Sequence, residues 1–499
     1  MNRVIVVIFF LLFAKILFSQ ELSPPAVRNN FASPTSYDEL SNYLKQLEAG
    51  SKLLKVAVIG KSVQGRNLYG MMFSASEFGK DKKKIKVLIF AQQHGNEQSG
   101  KEGALLLAQR LLKPESAFLF KNMDLMLIPQ LNPDGAELNT RRNANEADLN
   151  RNHMTLTEPE TQALHKVFDQ YLFEVSMDVH EYSPYGEDWV KFGYRKNADI
   201  TIGATTNLGV GEAIRDLSNK DYIPYLLNYM KEKGFSSFVY CPGGPPGLDY
   251  FRHSTFDVND GRQSLGIQQT FSFIQEGMNG KDTRIENLQH RAEGQMNGML
   301  GLLDYVALHK DQIKKIVAAE RKKVISEAPG QTLSLLSTHV RTGEALKIPL
   351  YSYKTTRDSV FVVSDYRPMV ASLLDVEIPL GYLIPKALPE LTEWVNRQQF
   401  KTASFPPAGK YVVEQYFVNT LDSVDFEGDI IVNPVVRSQE FKGSINEESY
   451  VFIPTNQLKG KMLALAVEPR SMLGLITYKK YAHLLKKDTF FPIFRVVKK

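Results

Sequence analysis

At 499 residues, with 43% hydrophobic residues and a formal net charge of only +5, the chain has material for a full core and more length than one domain usually needs. So small a charge on so long a chain excludes the basic stripe of a nucleic-acid-binding protein. A single cysteine, Cys241, excludes an intrachain disulfide, so the fold must rest on its core or on bound metal.

Residues 1–20 have the layout of a signal peptide. Arg3 supplies a positive charge, Val4 to Ala14 an apolar block too short to span a bilayer, and Ser19 a cleavage position. A secreted or periplasmic protein with no stable membrane span after cleavage is expected. Ser36 then precedes apolar residues at helical spacing as far as Leu47, and residues 54–59 and 68–73 read as strands around a turn-rich Gly60–Arg66. The apolar run Lys86–Ala91, a helix over Lys101–Leu112 and a second apolar run from Asp124 to Pro129 alternate as in an α/β sheet, whose sites lie beyond the strand ends.

Farther along, Glu160–Leu172 reads as helix and Phe173–Val179 as a strand that ends at His180. Residues 212–233 are mostly helical in pattern, and Cys241–Gly247 is too rich in Pro and Gly for regular structure. Gln268–Ile274 reads as a strand leading to Glu276, and Asp282–Glu327 has helix-forming composition, as one helix or two. From about residue 330 the character changes to short strand signals at 359–364, 410–418, 450–454 and 462–467. The expected organisation is a leader over 1–20, a catalytic region over 34–328 and a smaller β-rich accessory region over 330–499.

The polar breaks after the strands hold the chemistry. His94 and Glu97, three apart where a strand gives way to a helix, can converge on one ion if the chain bends there. A catalytic zinc takes three N/O ligands and keeps a fourth position open, and His180 at another strand end is the third candidate. A lone His-x-x-Glu pair is common by chance; two strand ends aimed at one point are not. Glu276 is a candidate general base. Arg141, Asn150 and Arg151 lie in a segment too polar to be core, where an Arg–Asn pair suits a carboxylate and a further Arg suits a developing oxyanion. Asp148 is placed to orient a ligand histidine or to cap a turn.

Read together, His94-Gly-Asn-Glu97, Asn132-Pro-Asp-Gly135, Arg141-Arg-Asn143, Asp148-Leu-Asn-Arg151, His180 and Phe271-Ser-Phe-Ile-Gln-Glu276 resemble the motifs of the zinc metallocarboxypeptidases of the carboxypeptidase A type, in that family's order. The resemblance covers roughly residues 35 to 300. It implies an α/β/α sandwich with a mixed central sheet and a secreted enzyme that hydrolyses the C-terminal peptide bond of peptides or proteins. One zinc per chain would be held by His94, Glu97 and His180, and a metal-activated water would act with Glu276 as general base. Arg141 would polarise the scissile carbonyl, Asn150 and Arg151 would grip the terminal carboxylate, and Asp148 would hydrogen-bond His94.

Two departures bear on specificity. Glu181 stands where the family often has serine, and would repel acidic side chains or bind basic ones. Arg262 falls at the family's pocket determinant, and would either bind an acidic side chain or brace the Pro/Gly loop. The family's mobile tyrosine has no match at its position; Tyr240 and Tyr250 are the nearby candidates. Two other functions fit parts of the pattern: a zinc amidase or deacylase acting on cell-wall peptides or N-acyl amino acids, and a binding protein on an inactive scaffold.

Overall fold

The computed structural model describes residues 22–406, 411–426 and 429–499; the leader expected over 1–20 lies outside them. Ser36 opens the first long helix as its sequence requires. The Ser36 hydroxyl accepts the Glu39 N–H while the Glu39 carboxylate accepts the Ser36 N–H at 2.9 Å, a reciprocal capping box that starts α1 (Tyr37–Gly50).

Ten strands follow before residue 280: β1 (Leu54–Lys61), β2 (Asn67–Phe73), β3 (Ile85–Ala91), β4 (Met123–Ile128), β5 (Val175–Tyr182), β6 (Tyr194–Lys196), β7 (Ile200–Ala204), β8 (Ser237–Val239), β9 (Phe251–Arg252) and β10 (Phe271–Met278). Eight of them form one sheet in the order β1-β2-β4-β3-β5-β10-β7-β8. Neighbours β4, β3, β5 and β10 run parallel, while β2 and β7 flank them antiparallel, so the sheet is mixed. Its middle strands are buried on both faces, which is why they read as unbroken apolar runs. Alternation sorts their side chains: Val87, Ile89 and Ala91 of β3 face one layer, Leu88 and Phe90 the other. The first layer is completed by α1, α2 (Gln98–Leu111) and, farther along the chain, α4 (Leu288–Glu327); the second is completed by α3 (Pro159–Tyr171). The result is an α/β/α sandwich.

Beyond residue 330 come β11 (Thr332–Val340), β12 (Leu346–Ser352), β13 (Arg357–Val363), β14 (Tyr366–Arg367), β15 (Met369–Glu377), β16 (Gly381–Pro385), α5 (Pro389–Gln398), β17 (Tyr411–Phe426), β18 (Asp429–Glu440), β19 (Tyr450–Pro454), α6 (Gly460–Val467) and β20 (Thr489–Lys498). The largest sheet here, β18-β17-β20-β16-β19, is antiparallel, and Tyr382, Ile384, Trp394 and Leu463 are buried in the core beside it. This part of the chain also packs onto the part before residue 330. β12 pairs antiparallel with β6, β14 pairs parallel with β9, and Met154 is buried in the same core as Trp394.

Two expectations are corrected and a third is narrowed. The strands expected over 173–179 and 268–274 span Val175–Tyr182 and Phe271–Met278, so His180 and Glu276 lie inside strands and not beyond them. Within 282–327 the helical reading holds from Leu288 to Glu327 (α4), as two helical stretches joined at a kink at His309 (φ −107°, ψ 15°). The run Met462–Val467 is helix, not strand: it is buried in the core, and an apolar stretch that short lacks the polar residues that would mark its period.

Helices α2 and α4 touch through Gly103, where a Cβ would stand 2.7 Å from the Gln295 Cβ and 2.8 Å from the Ala292 carbonyl. Replacing Gly103 by valine is expected to force the helices apart and lower stability by about 1–3 kcal/mol. The denaturant midpoint measures it; an unchanged midpoint rejects this close packing.

Candidate active site

At the end of β3 the chain must turn sharply. Gln92 takes left-handed backbone (φ 57°), and Gly95 lets the Asn132–Thr140 segment approach so closely that a Cβ would meet the Gly135 carbonyl carbon at 2.1 Å. Asn132 fixes that segment by capping the short helix after it (Gly135 N–H to Oδ1, 2.9 Å) while its amide donates to the Gln93 carbonyl. The turn brings His94 and Glu97 to the end of β5, where His180 sits opposite Glu276 of β10 in register.

His94 Nδ1 lies 2.7 Å from Glu97 Oε1, and His180 Nδ1 lies 2.9 Å from Glu97 Oε2 and 3.1 Å from His94 Nδ1. All three side chains are buried. Burial alone would raise the Glu97 carboxyl, but the two imidazoles outweigh it and hold the group well below the carboxylate range. The donor set suits zinc. Two facing imidazole nitrogens have room for only one proton between them, whereas a cation can accept both lone pairs. Ligands at about 2.0–2.2 Å in tetrahedral geometry stand roughly 3.3–3.6 Å apart, so the three groups need to open by several tenths of an ångström to take the ion.

Each histidine is backed by a carboxylate, as metal-binding imidazoles usually are. His94 Nε2 lies 3.1 Å from Asp148 Oδ1, and His180 Nε2 lies 2.9 Å from Asp178 Oδ1, outside hydrogen-bond angles. Asp178 escaped the sequence reading, although it stands two residues before His180 on the same strand and therefore on the same face. Its other oxygen accepts from Gln93 (2.8 Å).

Of these groups His94 and Glu97 open on a cavity of about 360 Å³, which Arg141, Asn150, Arg151, Arg262 and Glu276 also line. Burial pushes the Glu276 carboxyl up to about 7, against the pull of His180. Arg141 is held by Asp148 (3.0 Å) and reaches within 3.2 Å of His94 Nδ1. Asn150 is fixed through its oxygen, which accepts the Gly261 N–H at 2.8 Å. Tyr240 lines the cavity, its phenol raised by burial; Tyr250 instead stacks on Arg367 (3.8 Å).

The two specificity candidates are both charge-compensated. Glu181 is engaged by Arg291 of α4 at 2.7–3.0 Å, so the expectation that it repels acidic or binds basic side chains does not hold. Arg262 lies in the cavity wall but is buried, ion-paired with Asp260 (2.9 Å) and bonded to Ser254 and Thr255. Nothing in the local sequence signals Arg291, which arrives from a helix 110 positions away.

Residues 40–199 match the zinc carboxypeptidase family. Carboxypeptidase 2 of Trichophyton rubrum is 23% identical over 484 residues, covering 90% of this chain and 85% of its own. Human carboxypeptidase D is 27% identical over 236 residues, covering 40% of this chain and 17% of its own. Among solved structures, a metallo-carboxypeptidase from Burkholderia cenocepacia aligns at 19% identity and a TM-score of 0.44, over 55% of this chain and 70% of that one. The segment that carries His94, Glu97, Arg141, Asn150, Arg151 and His180 thus belongs to the zinc carboxypeptidase family, and the enzyme built on it is a zinc metallocarboxypeptidase.

Proposed function

We propose that this enzyme releases residues from the C-terminus of peptides or proteins, with His94, Glu97 and His180 holding one zinc ion and Glu276 as general base. The observation that carries the reading is the meeting of His94, Glu97, Arg141 and Glu276 on one cavity, from segments up to about 180 residues apart, with His180 completing the His–Glu–His cluster behind it. Bound there, zinc would supply Lewis acidity toward a carbonyl and toward water.

The chain's own groups do the rest. Glu276, opposite His180 on the neighbouring strand, takes the proton of the attacking water on its carboxylate and returns it to the leaving amine. A carboxyl raised to about 7 by burial is suited to both transfers. Arg141, beside His94, donates to the carbonyl oxygen as it gains charge. Asn150 has its oxygen occupied by Gly261, so its amide N–H groups serve the substrate, and with Arg151 they bind the terminal carboxylate. Asp148 hydrogen-bonds the far nitrogen of His94, and Asp178 stands 2.9 Å behind that of His180. The leader over 1–20 supports export to a secreted or periplasmic location. Residues 34–328 carry the chemistry, and 330–499 complete the cavity wall through Ile348 and Pro349.

Two measurements test these roles. Glu276→Gln should lower kcat by about 10²- to 10⁴-fold with close to one zinc retained per chain; activity within a few-fold of the parent removes Glu276 as the base. Asp178→Asn should weaken zinc binding about 10- to 100-fold in chelator competition, and unchanged affinity would deny Asp178 its orienting role.

A further inference from the structure

Nearly every charge on the cavity wall is answered from within the protein. Glu97 lies between two imidazoles, Arg141 is paired with Asp148, Glu181 with Arg291 and Arg262 with Asp260, and Arg151 and Asp257 are likewise engaged. Glu276, the proposed base, has no ion-pair partner among the described residues, and of the cations on the wall Lys196 is the exception. It lines the same cavity, and no carboxylate among the described residues lies within 4 Å of it. Its ammonium donates to the Cys241 carbonyl at 2.8 Å and sits 5.6 Å over the Trp189 ring and 5.7 Å over that of Phe251. Three donors with one acceptor leave two unspent.

The position is held firmly. Lys196 closes β6, where it stands opposite Leu350 of β12, and Ile348 and Pro349 of β12 line the cavity beside it. A charge kept half-buried against two aromatic faces is poorly solvated; burial lowers the ammonium to about 8, which still leaves it protonated at neutral pH. A carboxylate arriving with substrate would restore the missing partner. The terminal carboxylate is already provided for by Asn150 and Arg151, so the second one must belong to the side chain.

We propose that Lys196 sets the specificity of the enzyme by binding the side-chain carboxylate of a C-terminal aspartate or glutamate. The proposal rests on the carboxypeptidase reading above. A glutamine of the same shape cannot form the charged bond and leaves the ammonium unanswered, so discrimination on the order of 10- to 100-fold is expected.

The experiment compares kcat/KM of the zinc-loaded enzyme on matched peptides ending in Glu, Gln and Lys, for the parent, Lys196→Met and Lys196→Glu. Ratios between substrates are independent of the active fraction, so partial misfolding of a variant does not blur them. The Glu/Gln ratio should exceed 10 in the parent and fall toward 1 in Lys196→Met, and the Lys/Glu ratio should rise at least 10-fold in Lys196→Glu. Calorimetry should likewise show free glutamate bound more tightly than free glutamine by the parent and not by Lys196→Met. A parent ratio near 1, or one that survives Lys196→Met, overturns the proposal while hydrolysis itself upholds the carboxypeptidase reading. A parent that cleaves none of the peptides with zinc bound overturns both.

Discussion

The structure depends on keeping one buried carboxylate, that of Glu97, ionised at the wall of the cavity. An isolated charge there would cost several kcal/mol. It is tolerated because two imidazoles lie within 2.9 Å and each is backed by a carboxylate of its own. Such a cluster cannot be assembled from a single segment. It needs two parallel strands, β3 and β5, side by side in the sheet and a turn at Gln92 tight enough to fold the chain over their ends. The sheet order, the close approach at Gly95 and the capped turn at Asn132 all serve that requirement.

Charge compensation then spreads outward from the site. Asp148 divides its two oxygens between His94 and Arg141, so the same residue orients an imidazole and aims a guanidinium. Asp178 and Gln93 carry the pattern under the sheet end to His153, whose imidazole nitrogen lies 2.9 Å from the Gln93 amide oxygen and whose burial holds it neutral, at about 4. Glu181 and Arg291 add a buried pair beneath the cavity, tying α4 to β5. Groups that look like specificity elements when read singly become scaffold once their partners are seen.

Much of the site was legible because its residues come in short motifs at the ends of apolar runs. The doubly buried strands β3 and β4 have no period to confuse, and Asp148 to Arg151 is too polar for a core. Partners that lie far along the chain were not legible. Arg291 neutralises Glu181 from a helix whose own pattern speaks only of packing, and Lys196 gains its setting from a strand about 150 residues later. Residues 462–467 misled for a local reason: six apolar residues in a row fit a buried helix as well as a strand. Asp178 could have been found, since alternation along β5 puts it on the face of His180.

The loop that follows Arg151 has a consequence for how the protein can be divided. Trp394 and Gln398 of α5 both donate to the Met154 carbonyl, at 2.9 and 2.8 Å, and Arg397 donates to that of Thr155. The backbone just past Arg151 is therefore moored to a helix encoded some 240 positions later. Shortening the gene product at the apparent boundary near residue 328 would cut those moorings, leaving buried carbonyls without donors beside the segment that carries Asn150 and Arg151 to the cavity wall. The two halves are separable on paper and a single machine in three dimensions.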